Sequence, residues 1–198
     1  MLAGGAARRY GGTPKGLLEV GGRRILDRVV DAVQSVTGGP PLVIANAPDA
    51  ASWRADLRTI PDIRPGFGTL GGIYTAVTAG GGGGPVLCVA WDMPFVPPGL
   101  LRVLLDRMTE GNDAVLPESS GRRGVEPLCA VYGPACAAAI ARRLDSGDLQ
   151  AISFHADVKV GIVPLAQVRG FGDPDELFFN VNTPDDLARA EALCRRRG

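Results

Sequence analysis

Short apolar, β-branched runs alternate along this chain with stretches in which apolar residues recur every three or four positions. The runs at 42–45, 57–60, 86–90, 113–116, 128–132 and 158–163 predict strands. Helical spacing is clearest where Ile25, Val29, Val33 and Val36 recur with Arg23, Arg24, Asp27, Arg28 and Asp31 around them. Similar patterns cover 49–56, 70–79, 98–108, 134–144 and 184–195. Strands alternating with helices predict an α/β fold, a mostly parallel central sheet covered on both faces. The unbroken apolar run Val86-Leu87-Cys88-Val89-Ala90 reads as its buried centre. The glycines at 80–84 form a turn too short for a linker, and no repeat is visible, so 1–198 is expected to be one domain. In such sheets ligands bind beyond the carboxyl ends of the strands. The residues just after each apolar run are therefore the candidates for chemistry.

Composition narrows the chemistry. The 21 basic and 21 acidic residues cancel, which gives no electrostatic footprint for nucleic acid or an anionic membrane. No apolar run reaches the ~18 residues of a membrane span. The four cysteines, Cys88, Cys129, Cys136 and Cys194, have no C-x-x-C spacing and read as buried thiols of a reducing compartment, so the protein is expected in the cytoplasm. A single histidine, His155, excludes a metal site built on two or more histidines. A Ser-His-Asp arrangement would have to run through it, and no nucleophile motif lies nearby; a surface or interface role is expected. Any metal must then be held by oxygen ligands, which suits Mg²⁺.

The first loop, Leu2-Ala3-Gly4-Gly5-Ala6-Ala7-Arg8-Arg9-Tyr10-Gly11-Gly12-Thr13-Pro14-Lys15, combines small residues with cations. Glycines let backbone N–H groups approach a ligand, and Arg8, Arg9 and Lys15 supply charge, as a triphosphate requires. It is not a P-loop, because Lys15 is followed by Gly16. Gly66-Phe67-Gly68-Thr69-Leu70-Gly71 matches G-x-G-x-x-G, but it follows Pro61-Asp62-Ile63-Arg64-Pro65 rather than a strand, which argues against dinucleotide binding. Asp92 follows the central strand directly, where a carboxylate can hold Mg²⁺ against phosphate oxygens; Met93 and Pro94 intervene before the next helix and make simple capping a poor account. Late in the chain, Phe179-Asn180-Val181-Asn182-Thr183-Pro184 puts Asn180 and Asn182 on one face of an extended segment, available to an acceptor or to metal-bound water. Thr183 and Asp186 read as a capping box around Pro184.

Taken together, these residues resemble the molybdenum cofactor guanylyltransferases, within the glycosyltransferase-A-like nucleotidyltransferases. The resemblance rests on Leu2-Ala3-Gly4-Gly5, Arg9, Gly11 and Lys15, then Gly68-Thr69-Leu70-Gly71-Gly72-Ile73, Asp92-Met93-Pro94, Glu126-Pro127-Leu128 and Asn180 to Pro184, in that order along the whole chain. It implies a single-domain, Rossmann-like three-layer α/β/α sandwich and a Mg²⁺-dependent transfer of GMP from GTP to molybdopterin, with pyrophosphate released. By position it implies nucleotide contacts from Leu2, Ala3, Gly4 and Gly5, phosphate contacts from Lys15 and Arg9, and Mg²⁺ on Asp92. Asn46 and Asp62 match base-reading positions; a carboxylate at 62 accepts from both N1–H and the amino group of guanine. Asn180 and Asn182 would meet the acceptor. Transient contacts with cofactor-synthesis proteins or molybdoenzyme chaperones are expected. An ionised acceptor phosphate is already a nucleophile, so no protein base is needed, which suits a chain with one histidine. Alternatives are CMP transfer to the same cofactor, NTP transfer to a sugar or polyol phosphate, and a non-catalytic nucleotide-binding regulator. The chain departs from the family pattern at Tyr10, at Pro14, and in having only Met1 before Leu2 where a first strand is usual. That last departure predicts a weakened first strand and a natural start some residues upstream.

Overall fold

Helix and strand periodicities resolve into a three-layer arrangement in the computed structural model, which describes residues 1–4 and 13–197. Two candidates, Gly5 and Arg9, lie outside the described residues. A small antiparallel hairpin, β1 (Glu19–Val20) with β2 (Arg23–Arg24), leads into α1 (Ile25–Thr37). There follow β3 (Val43–Ile44), α2 (Ala50–Trp53), β4 (Thr59–Ile60) and α3 (Gly68–Gly80). The central run becomes β5 (Val86–Val89), followed by α4 (Pro98–Met108), β6 (Ala114–Pro117), β7 (Cys129–Tyr132) and α5 (Cys136–Ser146). The chain finishes with β8 (Val160–Val163), two single-turn helices α6 (Leu165–Val168) and α7 (Pro174–Leu177), and α8 (Pro184–Arg197). Most strands are one or two residues shorter than their apolar runs. The hairpin and the two short helices carry no strong periodicity and were not foreseen.

Segment 1–3 is the keystone of the sheet. β3 and β4 pair in parallel, and β5, β7, β6 and β8 form a second group. Leu2 bridges both groups, lying parallel to Ile44 and to Ala90. Leu2 N donates to Val89 O at 2.9 Å and Ala3 N to Ile44 O at 2.8 Å, while Ile44 N and Trp91 N donate to Met1 O and Leu2 O at 3.0 and 3.1 Å. The order is thus β4, β3, segment 1–3, β5, β7, β6, β8. Residues 1–3 join the halves, and Met1, Leu2 and Ala3 are all buried.

The sheet is parallel except at β7, which runs against both β5 and β6. The connection from β6 to β7 contains a hairpin, closed by a Glu118–Val125 bridge, rather than a crossover helix, so the strand returns antiparallel. Every residue of β7 is buried, which removes the alternation by which an antiparallel strand is recognised.

Alternation along the strands divides the core. Leu87, Val89, Val115 and Val131 pack with residues of α1 and α4, whereas Cys88, Leu116, Ala130 and Tyr132 pack with α3 and α5. The four cysteines are unpaired thiols, three of them buried. Burial pushes Cys88 up to about 11 and Cys136 up to about 12, so both remain protonated at neutral pH. His155 is half-buried rather than at the surface: its ring stands edge-on to Phe154 at 4.8 Å, and burial lowers its pKa. Among the described residues no helix is long and apolar enough to cross a membrane.

Candidate active site

Three strand ends open onto one cavity of about 580 Å³, a volume suited to a nucleotide-sized ligand. Leu2 and Gly4 line it from the central segment, Asn46 from the end of β3, and Trp91 and Asp92 from the end of β5. Asp62, Asn180 and Asn182 complete the set of candidates that the structure brings together here. Lys15 joins them through its hydrogen bond to Asn182. Ala3 is buried beneath this floor, with its N–H spent on β3.

The cation and the carboxylate meet at one end. Lys15 sits in a 3₁₀ turn, Lys15–Leu17, and its Nζ donates to Asn182 Oδ1 at 2.6 Å and lies 3.9 Å from Asp92 Oδ2. Both charged side chains are only 12% and 13% exposed, so their attraction is poorly screened. Gly16 makes this approach feasible: a β-carbon there would fall inside the van der Waals envelope of the Trp91 ring. Trp91 in turn stacks on Trp53 of α2 with ring centroids 4.7 Å apart, which fixes the base of the β5 loop.

Asn182 is held in place by the helix that follows it. Asp186 Oδ2 accepts from the N–H groups of Asn182 and Thr183 at 3.0 and 2.8 Å, and Asp186 N donates to Thr183 Oγ1 at 3.2 Å. The capping box expected from the sequence is therefore present, and it orients the amide that receives Lys15. Val181 N donates to Asp92 O at 3.0 Å, tying the same segment to the metal candidate. Asn180 instead turns its amide back onto Phe178 O at 3.0 Å, with the side chain still on the cavity wall.

Asp92 accepts no side-chain hydrogen bond from another described residue, which is unusual for a carboxylate so little exposed. Burial raises its pKa, and the neighbouring Lys15 pulls the other way. Among the described residues no three His, Cys, Asp or Glu side chains cluster as metal ligands. One under-partnered carboxylate fits an ion that takes one or two protein oxygens and completes its shell with water and phosphate, as Mg²⁺ does.

The other end is built from a reciprocal pair. Asn46 Nδ2 donates to Asp62 Oδ2 at 2.6 Å, and Asp62 N donates to Asn46 Oδ1 at 2.8 Å. Thr75, fully buried in α3, accepts from Ile63 N at 3.0 Å and donates to Gly71 O at 2.9 Å, which locks the loop beside Asp62. Gly72 leaves space under this pair: a β-carbon there would lie 3.4 Å from a Leu2 methyl and 3.8 Å from Asp62 Oδ1. Asn46 and Asp92 follow strands on either side of segment 1–3, two strand spacings or about 10 Å apart. That separation matches the reach from a nucleotide's base to its phosphates.

Gly66, Gly68, Thr69 and Gly72 also line the cavity and were not singled out as site residues. Their signal was in the sequence, in the glycine pattern at 66–71. It is not a Rossmann fingerprint, because a loop separates it from β4; the left-handed φ angles of 88° at Gly66 and 57° at Gly68 instead shape the entry to α3. Leu128, the end of Glu126-Pro127-Leu128, contributes an apolar wall.

A family model, the MobA-like NTP transferase domain, matches residues 1–159. The probable molybdenum cofactor guanylyltransferase of Pelotomaculum thermopropionicum is 36% identical, over 98% of this chain and 91% of that one. The chain belongs to this family. A second member, the molybdenum cofactor guanylyltransferase of Desulfosudis oleivorans, is 34% identical over 98% and 94% of the two chains. Among solved structures of the family, molybdopterin-guanine dinucleotide biosynthesis protein A from Archaeoglobus fulgidus superposes with a TM-score of 0.80 at 29% identity, covering 98% of this chain and 97% of that one. Membership makes the chain a nucleotidyltransferase.

Proposed function

We propose that this chain, acting as one domain over 1–198, transfers GMP from GTP to the phosphate of molybdopterin and releases pyrophosphate. One observation carries the reading: a Lys15–Asp92–Asn182 cluster and an Asn46–Asp62 pair stand at the two ends of one nucleotide-sized cavity. Asn46 occupies one lone pair of Asp62 and leaves the rest of the carboxylate to accept from guanine, while the bare backbone of Gly72 gives a base room to lie. Lys15 neutralises phosphate charge in a poorly hydrated site, where the interaction is strong and prearranged. Asp92 would hold Mg²⁺; when bound, that ion supplies further positive charge to the phosphates and to the departing pyrophosphate. Gly5 and Arg9 are assigned to the phosphates on the family pattern. The acceptor brings its own ionised nucleophile, so the protein's contribution is alignment and charge. Free buried thiols suit a cytoplasmic enzyme, and transient contact with proteins that make or receive the cofactor belongs to the same proposal.

CMP transfer is the rival to be eliminated, and Asp62 discriminates. Cytosine offers no pair of adjacent donors to a single carboxylate, whereas guanine does. Asp62→Ala is expected to weaken GTP by about 1–3 kcal/mol, the cost of unpaired donors, with far smaller changes for CTP, ATP and UTP. Pyrophosphate release measured with each nucleotide and molybdopterin checks this. Equal losses across the four nucleotides would reassign Asp62 to holding its loop, and wild-type preference for CTP would overturn the guanylyl reading itself.

A further inference from the structure

A second groove, about 890 Å³ and larger than the nucleotide cavity, abuts the first and is used by nothing described so far. The two share Thr69 as a common wall, and the segment from Val125 to Leu128 passes from one to the other: Glu126 faces the groove and Leu128 the cavity. One side is the hairpin between β6 and β7, whose tip is held by Ser119 N donating to Gly124 O and Gly124 N to Gly121 O, both at 2.9 Å. It presents Arg122 and Arg123, both exposed; among the described residues neither enters a salt bridge. The opposite side is the turn after α5, which offers the polar groups of Asp148 and Gln150 beside the exposed apolar side chain of Leu149.

We infer that this groove is the acceptor subsite, with Arg122 and Arg123 as its anion-recognising residues; the inference rests on the guanylyl-transfer reading above. Three features argue for it. In-line displacement at a phosphate requires the acceptor to enter on the side away from the leaving pyrophosphate. A cavity filled by the nucleotide therefore needs an adjoining one for the acceptor, and this groove adjoins it through Thr69. Its walls match a phosphate-bearing pterin: two guanidinium groups for the anionic part, hydrogen-bond acceptors for the ring's N–H donors, and apolar surface for a flat ring. Arg122 and Arg123 place two exposed guanidinium groups together on the hairpin wall, while the carboxylates of the groove, Glu126 and Asp148, lie on the segment leading to the cavity and on the opposite turn, so attraction for an anion is confined to the hairpin side. Asn180 and Asn182 then belong to the nucleotide side of the boundary, the acceptor's body lying beyond Thr69.

The test is steady-state kinetics and direct binding with the full chain, GTP and purified molybdopterin. The double variant Arg122→Ala/Arg123→Ala should raise the acceptor KM about 10- to 100-fold, the loss expected for charged hydrogen bonds to an anion. Its Kd for GTP, measured without acceptor, and its melting temperature should stay at wild-type values, since both side chains are solvent-exposed. Arg122→Lys/Arg123→Lys should recover part of the loss by restoring charge without the fork geometry. Raising ionic strength should increase the wild-type acceptor KM more steeply than that of the alanine variant. An unchanged acceptor KM in the alanine variant, or a parallel loss of GTP affinity, would overturn the subsite while leaving guanylyl transfer standing. Absence of pyrophosphate release by the wild type with GTP and molybdopterin would overturn the functional reading and the subsite together.

Discussion

Asp92→Asn is expected to lower turnover by about two to four orders of magnitude, the loss that follows from removing several kcal/mol of charge stabilisation at the phosphates. The ligand-free protein should melt at the same temperature or slightly higher. Burial raises the folded-state pKa of Asp92 above its unfolded value, so its protonated form is the one the fold favours. For such a group the contribution to stability is fully present below the unfolded pKa and is lost as pH rises through the folded pKa. Asparagine removes that dependence. The stability gain of the variant should therefore vanish in acid, below 3.8, grow as pH rises from there, and be complete above the elevated value. Thermal melts across pH, paired with pyrophosphate release at saturating Mg²⁺, check both halves. Near-full metal-dependent activity, or a variant that does not fold, would make Asp92 a structural residue.

Lys15→Ala should reduce kcat/KM for GTP by about 100- to 1000-fold, comparable with deleting one prearranged charge-stabilising donor. Unlike Asp92→Asn, it should raise the KM for GTP as well as lower kcat, and it should leave the Mg²⁺ concentration for half-maximal activity near that of the wild type. Asn182→Ala removes the acceptor that holds Nζ at 2.6 Å, so a smaller loss of the same kind is expected. If Lys15→Ala kept its activity but melted lower, the lysine would be a tie between the 3₁₀ turn and the segment before α8, nothing more.

Much of this site was legible because its residues sit where strand grammar puts them. Asp92 and Asn46 directly follow apolar runs, and the carboxyl end of a parallel strand is where such a sheet opens. The capping box at Thr183 and Asp186 is local chemistry with a fixed spacing, and it formed as read. Other features were hidden for physical reasons. Lys15 and Asn182 are 167 positions apart, and no periodicity encodes a contact of that range. β7 carries the apolar run of a buried parallel strand but runs antiparallel, because direction is set by its connection and not by its own residues. Gly68 and Gly72 of α3 fail the dinucleotide pattern and are legible only as part of the family motif; the space that Gly72 leaves depends on where Leu2 and Asp62 lie.

The three-residue joint at 1–3 has a mechanical consequence. Four hydrogen bonds pass from it to Val89, Ile44 and Trp91, and through them the β3–β4 pair is fastened to the rest of the sheet. The Asn46–Asp62 pair rides on the smaller leaf and the Asp92 carboxylate on the larger, so a nucleotide bound across the cavity as proposed would span the same line that segment 1–3 closes. Occupancy and leaf-to-leaf fastening are then two loads on one joint. The amide protons of Leu2, Ala3, Ile44 and Trp91 should exchange with solvent deuterium more slowly when GTP is present, while those within β6 and β8, which lie outside the span, keep their rates.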